Sequence, residues 1–419
     1  MTLSADSTKK DNGKGMQTLF GDILSRVNVK RFSIQNGSVE IKEKSTGNIK
    51  ASLKSLNVEA REILTDSLHW KHIIPFQLGD LKITIDSVAV RLNDYTNLSL
   101  GHFRYDLKQK EIVLNDISLD YSIDWVNVSQ QLGFQNDIIE LKLKELTIHN
   151  LEPSSEFYTS LDIAAEKISL DSLEIKLQRN KNLTRPPDEQ KPMFNGIIEG
   201  IPVALKLDSL QITNSTVSYS ELGIKKDESG TVKIGEINGL ITKITNFPKN
   251  QQEWKQMTAN LDSKIADTAP IKVSLNMPYD RESFTLNSNV GSMNLNVLNP
   301  TLKPLAGVKI ESGKMQRIQY SMNAGKYVSK NNLIFDYSNL HLNLIKKNED
   351  KKVKKLVIKS LIANSAVRNN NIPGDKKYLT AEYESTRNIY RSPVNYIIQG
   401  LIHGFTKIVP GKGIQKLIN

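Results

Sequence analysis

The chain of 419 residues contains no cysteine. This absence excludes disulfide bonds, thiolate metal sites and cysteine nucleophiles. Aromatic residues make up only 6% of the sequence and hydrophobic residues 38%, which is little for one large conventional core. No apolar run reaches the roughly 18 residues of a membrane-spanning helix, and residues 1–15 lack the apolar segment of a signal peptide. The protein is therefore either soluble or has its targeting segment outside this sequence.

Motifs of catalysis and nucleotide binding are missing as well. The sequence has no Walker loop, no GxGxxG after a strand, no HExxH and no GxSxG. Among six histidines, His69 and His72 have a spacing that could bind a metal on a helix, but no third ligand is near them in sequence. We therefore expect no enzyme activity, no metal and no cofactor. A hydrolase built on the histidines and the Asp-Ser pairs is the weakest alternative.

The formal net charge of +11 and a pI of about 9.3 are typical of proteins that meet an anionic partner, either nucleic acid or a phospholipid surface. Most lysines alternate with apolar residues, which favours a solvated surface instead. The basic cluster at 346–355 predicts an exposed loop, with contact to lipid headgroups as the alternative. Few aromatic side chains are free to stack on bases, so we expect no nucleic-acid partner.

One sequence pattern of alternating apolar residues, here called the phrase, occurs twice in full. "VNVKRFSIQNGSVEI" begins at Val27, and "LKLDSLQITNSTVSYSE" begins at Leu205 with its apolar positions at a constant offset of 178 residues. Shorter copies begin at Ile83, Ile112, Leu141 and Ile168. Alternation with period 2 gives a strand one apolar face and one polar face. The repeated phrase therefore predicts a series of one-faced strands.

Each full copy contains one extra polar residue, which shifts the phase of the alternation. A phase shift turns the later side chains to the opposite face unless the strand bulges or ends there. The Asp-Ser pairs at 86–87, 171–172 and 208–209 suit a bulge or a tight bend. The pairs at 36–37 and 214–215 suit turns.

These patterns predict a mostly β protein: an elongated, curved, antiparallel sheet that forms a trough built from repeats, with a few short helices and a C-terminal amphipathic helix. The predicted regions are a flexible N-terminus 1–17, a first β-repeat region 18–180, a proline-rich linker 181–195, a second β-repeat region 196–345, a basic loop and tail strands 346–391, and a helix and tail 392–419. Short helices are expected at 18–27 and 125–134. Two separate domains and one continuous sheet both fit this division.

The C-terminal helix has clear start signals, because Ser392 is a good N-cap and Pro393 suits the first helical position. Its apolar residues follow helical spacing. The predicted apolar face consists of Ile397, Ile398, Leu401 and Phe405. Such a stripe favours docking on the protein's own surface over contact with a bilayer, since the helix has few lysines on its polar face.

The segment 294–324, "NLNVLNPTLKPLAGVKIESGKMQRIQYSMNA", resembles the C-terminal region of the AsmA-like family, the group that includes AsmA, TamB and YhdP. The matching residues are Asn299-Pro300, Leu305-Ala306-Gly307 and Ser312-Gly313-Lys314. The repeated strand phrases also look like the repeat unit of that family, so the resemblance covers about residues 27–346. It implies an apolar trough in the periplasm that moves phospholipid between the inner and outer membranes. Members usually have an N-terminal membrane helix, which this sequence lacks.

We therefore expect a periplasmic protein without enzymatic activity, anchored through a segment outside this chain. Its partners would be phospholipid or another acyl-chain lipid, a membrane surface and envelope proteins. The alternative is an envelope structural or outer-membrane assembly factor without lipid cargo, in which the apolar face is fully covered. The candidate groove residues are Val27, Val29, Ile83, Ile85, Ile168, Leu170, Leu205 and Leu207. The tail helix would close one end of the trough or touch a membrane.

Overall fold

A computed structural model describes residues 28–64, 78–152, 163–224, 228–345 and 367–410. In these residues the chain forms one mixed, largely antiparallel sheet of 18 strands together with five α-helices. The prediction of a mostly β fold with a C-terminal helix is confirmed. The predicted N-terminus 1–17, the helix at 18–27, the groove candidate Val27, the histidines of the HxxH pair and the basic cluster 346–355 lie outside the described residues.

The strands of the first half are β1 Asn28–Lys42, β2 Ile49–Leu64, β3 Asp80–Ile85, β4 Ser87–Arg91, β5 Thr96–Leu100, β6 His102–Asp106, β7 Glu111–Tyr121, β8 Asp137–Leu151 and β9 Ile163–Asn180. Those of the second half are β10 Leu205–Leu222, β11 Ser229–Thr245, β12 Gln256–Ile265, β13 Ala269–Pro278, β14 Phe284–Val290, β15 Met293–Asn294, β16 Val308–Ala324, β17 Val328–Leu344 and β18 Ala381–Thr386.

Strands pair mainly with their neighbours in sequence. The pairs β3 with β4 and β5 with β6 each form one long strand that is interrupted in the middle, so β2 pairs with both β3 and β4, and β7 with both β5 and β6. The exception to antiparallel order is β9 with β10, which run parallel. This pairing joins the two predicted repeat regions across the linker, so the described residues form a single continuous sheet.

Bulges in the middle of the strands form a band across the sheet. Six residues in this band have a positive φ between 48° and 56°, a conformation that a non-glycine residue rarely adopts: Asn36, Ser55, Asp116, Ser172, Asn214 and Glu236. In the two split strands the interruption falls at the same level, at Asp86 and Gly101. A bulge absorbs one extra residue and restores the phase of the side chains. The apolar residues before and after the band therefore share one face.

The predicted break at 86–87 is confirmed, because β3 ends before Asp86. At 171–172 Ser172 has a positive φ, as a bulge there would require, but β9 keeps its register with both β8 and β10. The predicted bend at 208–209 is wrong, because the residue with positive φ at this level is Lys243 on the opposite strand. The turns predicted at 36–37 and 214–215 are wrong too. Both asparagines take the left-handed conformation inside a strand, which bulges without reversing.

The sequence repeat has a matching structural repeat. Hairpin β1–β2 and hairpin β10–β11 pair in the same register, and both have shifts on either side of one residue, Gly37 in the first and Ser215 in the second. The positive-φ residues correspond as well, Asn36 to Asn214 and Ser55 to Glu236. The two copies of the phrase are therefore the same building block.

The helices are α1 Trp125–Leu132, α2 Phe194–Glu199, α3 Pro248–Trp254, α4 Asn299–Ala306 and α5 Pro393–Ile408. Helix α1 packs on β8 and β9, α2 on β11 and β13, and α3 on β11. Helix α4 packs on β10, β11 and β16, and α5 on β16, β17 and β18. Ser392 caps α5 by accepting a hydrogen bond from the Asn395 N–H, as its sequence predicted. Most fully buried apolar residues lie beyond residue 150, where these helices cover the sheet.

Candidate functional site

A continuous row of apolar side chains crosses the sheet, one residue from each strand that it meets. In each case the residue pairs directly with the next one, so their side chains lie on the same face. This central row consists of Ile34, Val58, Ile83, Tyr105, Ile112, Ile148, Ile168, Leu210 and Ile241. It continues through Ala259, Leu275, Leu286 and Met322.

Two further rows flank the central row on the same face. The second row lies two residues nearer the band of bulges and consists of Ile85, Phe103, Leu114, Leu146, Leu170 and Ile212. The third row lies beyond the band and consists of Ile41, Ala51, Val90, Leu98, Leu119, Leu141, Ile175, Val217, Ile234 and Ile265. We call the three rows together the apolar face.

The apolar face is covered unevenly. In the part of the chain that the structure describes, none of the five helices has its main packing partners among β1–β7. There most row residues are half-buried by their neighbours in the sheet. Three are exposed: Leu98 on β5 at 38%, and Ile34 at 37% and Ile41 at 56% on the outer strand. The N-terminal half therefore presents a broad apolar surface.

The C-terminal end of the apolar face is closed by α2 and α5. The ring of Phe194 stacks edge-on against Phe284 at 5.1 Å, and Phe284 stacks against Tyr396 of α5 at 6.5 Å. Tyr383 on β18 donates its hydroxyl to the Gly400 carbonyl of α5 at 2.8 Å. Burial raises the pKa of the Tyr383 hydroxyl well above its usual range, so the hydroxyl remains a donor. These contacts fix the helices on the sheet.

The opposite face carries charged side chains along β3–β8. Cross-strand ion pairs bridge it, including Lys82 with Asp106 at 3.1 Å and Arg104 with Glu111 at 2.5 Å. Burial tends to raise the pKa of Asp106, but hydrogen bonds from the Gln109 N–H and from Lys82 outweigh it, and the pKa is lowered. An open hollow near β14–β18 is lined by amide and hydroxyl groups together with the charged residues Lys330, Glu382 and Glu384. The sheet thus separates an apolar face from a charged one.

Four of the predicted groove residues belong to the apolar face. Ile83 and Ile168 lie in the central row, and Ile85 and Leu170 lie in the second row, all four half-buried. Val29 is half-buried and pairs with Ile63 at the start of β1.

The two candidates at the start of β10 differ from each other. Leu205 is half-buried, but Leu207 is only 2% exposed and belongs to the packed core. Leu207 therefore has little surface left for a ligand. Alternation alone assigns both residues to one face and says nothing about what covers each of them.

The predicted apolar face of α5 is divided in the structure. Ile397, Leu401 and Phe405 pack against the core, whereas Ile398 is 48% exposed. Ile398 forms a second stripe with two other exposed residues of the helix, Val394 at 53% and Ile402 at 40%. The helix docks through its glycines as well, because Gly400 lies against Tyr320 and Gly404 against Tyr383.

Between Ile34 and Ile241, sequence reasoning missed seven of the nine members of the central row: Ile34, Val58, Tyr105, Ile112, Ile148, Leu210 and Ile241. The repeated phrase contained the signal for most of them, since copies starting at Ile112 and Leu141 include the residues that pair with Ile148 and Ile168. Aligning all copies of the phrase identifies most residues of the row. Their order across the sheet depends on long-range strand pairing, which the repeated phrase does not give.

The described residues contain no group of three or more potential metal ligands that could hold a metal ion. No described helix is long and apolar enough to span a bilayer. In comparisons with known proteins, no family model matches the chain, and no curated protein gives a significant match.

Proposed function

We propose that this chain is a non-enzymatic, AsmA-like protein of the periplasm that binds or conducts phospholipid between the inner and outer membranes. The observation that carries the proposal is the central row, which continues without a charged residue from Ile34 to Ile241. Nine strands spaced by about 4.8 Å give this part of the row a length of roughly 40 Å. An acyl chain lying along it would meet only apolar side chains.

The energetic argument concerns the lipid tail. A chain of roughly 14 methylenes, each worth about 0.8 kcal/mol, costs on the order of 10 kcal/mol to expose to water. The half-buried aliphatic side chains of β1–β9 offer it a surface that removes much of this cost. No catalytic group is needed for such a role.

The proposed membrane contact is assigned to α5. Its exposed stripe of Val394, Ile398 and Ile402 is the apolar side of an interfacial helix, and between Arg387 and Asn419 the sequence has five basic and no acidic residues. This combination suits an anionic bilayer surface. Sedimentation with anionic vesicles tests it: Ile398→Asp should weaken binding, while Gln399→Asp, an equal charge change at a polar neighbour, should weaken it less.

The main experiment compares two adjacent residues on opposite faces. Ile112 lies in the central row, whereas Val113 points to the charged face and pairs with Arg104 and Thr147. We expect Ile112→Asp to abolish uptake of labelled phospholipid and Val113→Asp to preserve it, with both variants folded by circular dichroism. Native mass spectrometry of wild-type protein purified from membranes should show bound lipid.

The alternative, an envelope scaffold without lipid cargo, requires the apolar face to be covered by other parts of the protein or by a partner. In that case Ile112→Asp would unfold the protein, and the wild type would be free of lipid and take up none. That result would overturn the lipid-binding proposal.

A further inference from the structure

The outer edge of β1 is a long strand edge without a described partner. Among the described residues β1 pairs in register with β2 alone. It is 15 residues long, contains no proline, and has four exposed large apolar residues: Phe32 at 48%, Ile34 at 37%, Val39 at 51% and Ile41 at 56%. Natural proteins usually shorten or interrupt such an edge, because it invites pairing with another strand.

The internal repeat shows what such an edge accepts. Strand β10 is the structural copy of β1, and its corresponding edge is occupied by β9 in parallel. The four β10 residues at the positions of the exposed ones in β1 are Leu210, Ile212, Val217 and Tyr219, and all are half-buried. The β1 edge therefore has the backbone shape, including the bulge at Asn36, of an edge that receives a parallel strand elsewhere in the same molecule.

The side chains of β9 also suit β1 when the register of β9 on β10 is transferred. Apolar residues would face apolar residues: Ile168 would meet Phe32, Leu170 would meet Ile34, Ile175 would meet Val39 and Leu177 would meet Ile41. Two pairs of oppositely charged residues would also meet, Glu166 with Lys30 and Lys176 with Glu40. One like-charged contact, Lys167 with Arg31, opposes them. The balance favours a strand with the chemistry of β9.

We propose that β1 is a docking site for a parallel β-strand from a partner chain, with apolar residues at the facing positions, an acidic residue opposite Lys30 and a basic residue opposite Glu40. Main-chain hydrogen bonds would provide affinity and the alternating side chains specificity, as in other cases of strand addition. The strand β9 of a second copy is excluded as the occupant, because β8 and β10 already hold it on both sides. The docking site does not depend on lipid binding by the apolar face.

The test uses a synthetic peptide with the sequence of residues 163–180. Because the protein has no native cysteine, single cysteines can be introduced without competing thiols. Two in-register pairs are made, Ile34→Cys in the protein with Leu170→Cys in the peptide, and Ile41→Cys with Leu177→Cys. Parallel pairing brings such Cα atoms to about 5 Å, within disulfide range. The crossed pairs, 34 with 177 and 41 with 170, serve as controls of identical composition. We expect disulfide yields at least about tenfold higher for the in-register pairs, equivalent to roughly 1.4 kcal/mol.

A charge exchange provides a second readout in a protein that remains folded, because Glu40 is exposed. Glu40→Lys should weaken peptide binding about two- to fivefold, the range of a surface ion pair, and Lys176→Glu in the peptide should restore it. Equal yields for all cysteine pairs, preference for the crossed pairs, or no cross-linking would each overturn the proposal. Phospholipid uptake measured on the same variants separates this outcome from failure of the proposed lipid function.

Discussion

The backbone N–H of Asn214 donates a hydrogen bond to the Oδ1 atom of Asn238 at 3.0 Å. Asn238 also donates a hydrogen bond from its Nδ2 to the Glu236 carbonyl oxygen at 2.8 Å. The side chain of Asn238 therefore joins Asn214 and Glu236, the two left-handed residues that face each other across the β10–β11 hairpin. In the first repeat Asn57 does the same for Asn36 at 3.0 Å and for the Ser55 carbonyl at 3.1 Å. This asparagine clamp fixes the bulge in both copies.

The clamp predicts a local loss of stability in Asn238→Ala. Removing the side chain leaves the exposed Asn214 N–H and Glu236 carbonyl to water, so we expect the loss of about 0.5–1.5 kcal/mol that is typical of an intramolecular hydrogen bond. We expect faster hydrogen exchange of the amides around Asn214, a measurement that reports local opening of the sheet. Asn289→Ala, at an exposed position of β14, is the control and should leave their exchange unchanged. Unchanged exchange in Asn238→Ala would contradict the clamp.

The strands and the shared apolar face could be predicted from the sequence because both depend on local alternation. The bulges could be predicted only in part. An extra polar residue indicates that the phase must be corrected, but whether Asp208 or Asn214 corrects it depends on the opposite strand, where Lys243 takes the positive φ next to Asp208. The parallel pairing of β9 and β10 had no local signal, since it joins strands separated by the proline-rich linker.

Coverage of the apolar face was the other feature that local patterns could not predict. Leu205 and Leu207 have the same side chain two residues apart, yet only Leu207 is buried in the core. On α5 the helical spacing correctly identified apolar residues but did not distinguish Leu401, which packs inward, from Ile398, which is exposed. Both differences arise from packing between segments that are distant in sequence.

The pair Leu205 and Leu207 yields a prediction about stability. Leu207→Ala leaves a cavity in a packed core and should lower the free energy of unfolding by about 2–5 kcal/mol. Leu205→Ala removes the same atoms from a half-buried position and should cost clearly less, because solvent and neighbours fill the space. Urea denaturation of both variants followed by circular dichroism measures the difference. Equal losses would show that the two positions are packed alike.

The docking of α5 predicts that a usually favourable helix substitution is harmful. In an exposed helix Gly→Ala stabilises by up to about 1 kcal/mol. At Gly404 a Cβ atom would collide with the Tyr383 hydroxyl and come within 2.6 Å of Leu333 Cδ2, so Gly404→Ala should cost about 1–3 kcal/mol by overpacking. Hydrogen exchange of the α5 amides measures undocking, with Gln399→Ala at an exposed position of the same helix as the control. Slower exchange in Gly404→Ala would contradict the close contact.

We predict that His403 makes the docking of α5 dependent on pH. Its Nδ1 lies 3.1 Å from the Ser385 hydroxyl, and its ring stacks edge-on against Tyr383 at 5.0 Å. Burial, aided by nearby Lys407, lowers the pKa of His403 below its ordinary value of 6.5. The docked helix therefore favours the neutral imidazole, whereas an undocked helix would bind a proton more readily.

The sign of the effect follows from this difference in proton binding. Because the undocked state binds more protons, docking gains stability as pH rises towards 6.5 and loses it as pH falls below that value. We expect hydrogen exchange of the α5 amides, corrected for its intrinsic pH dependence, to report weaker protection at acidic pH than at neutral pH. His403→Gln, which has no titratable group, should remove most of that difference. A wild-type helix with equal protection on both sides of pH 6.5 would show that His403 does not couple protonation to docking.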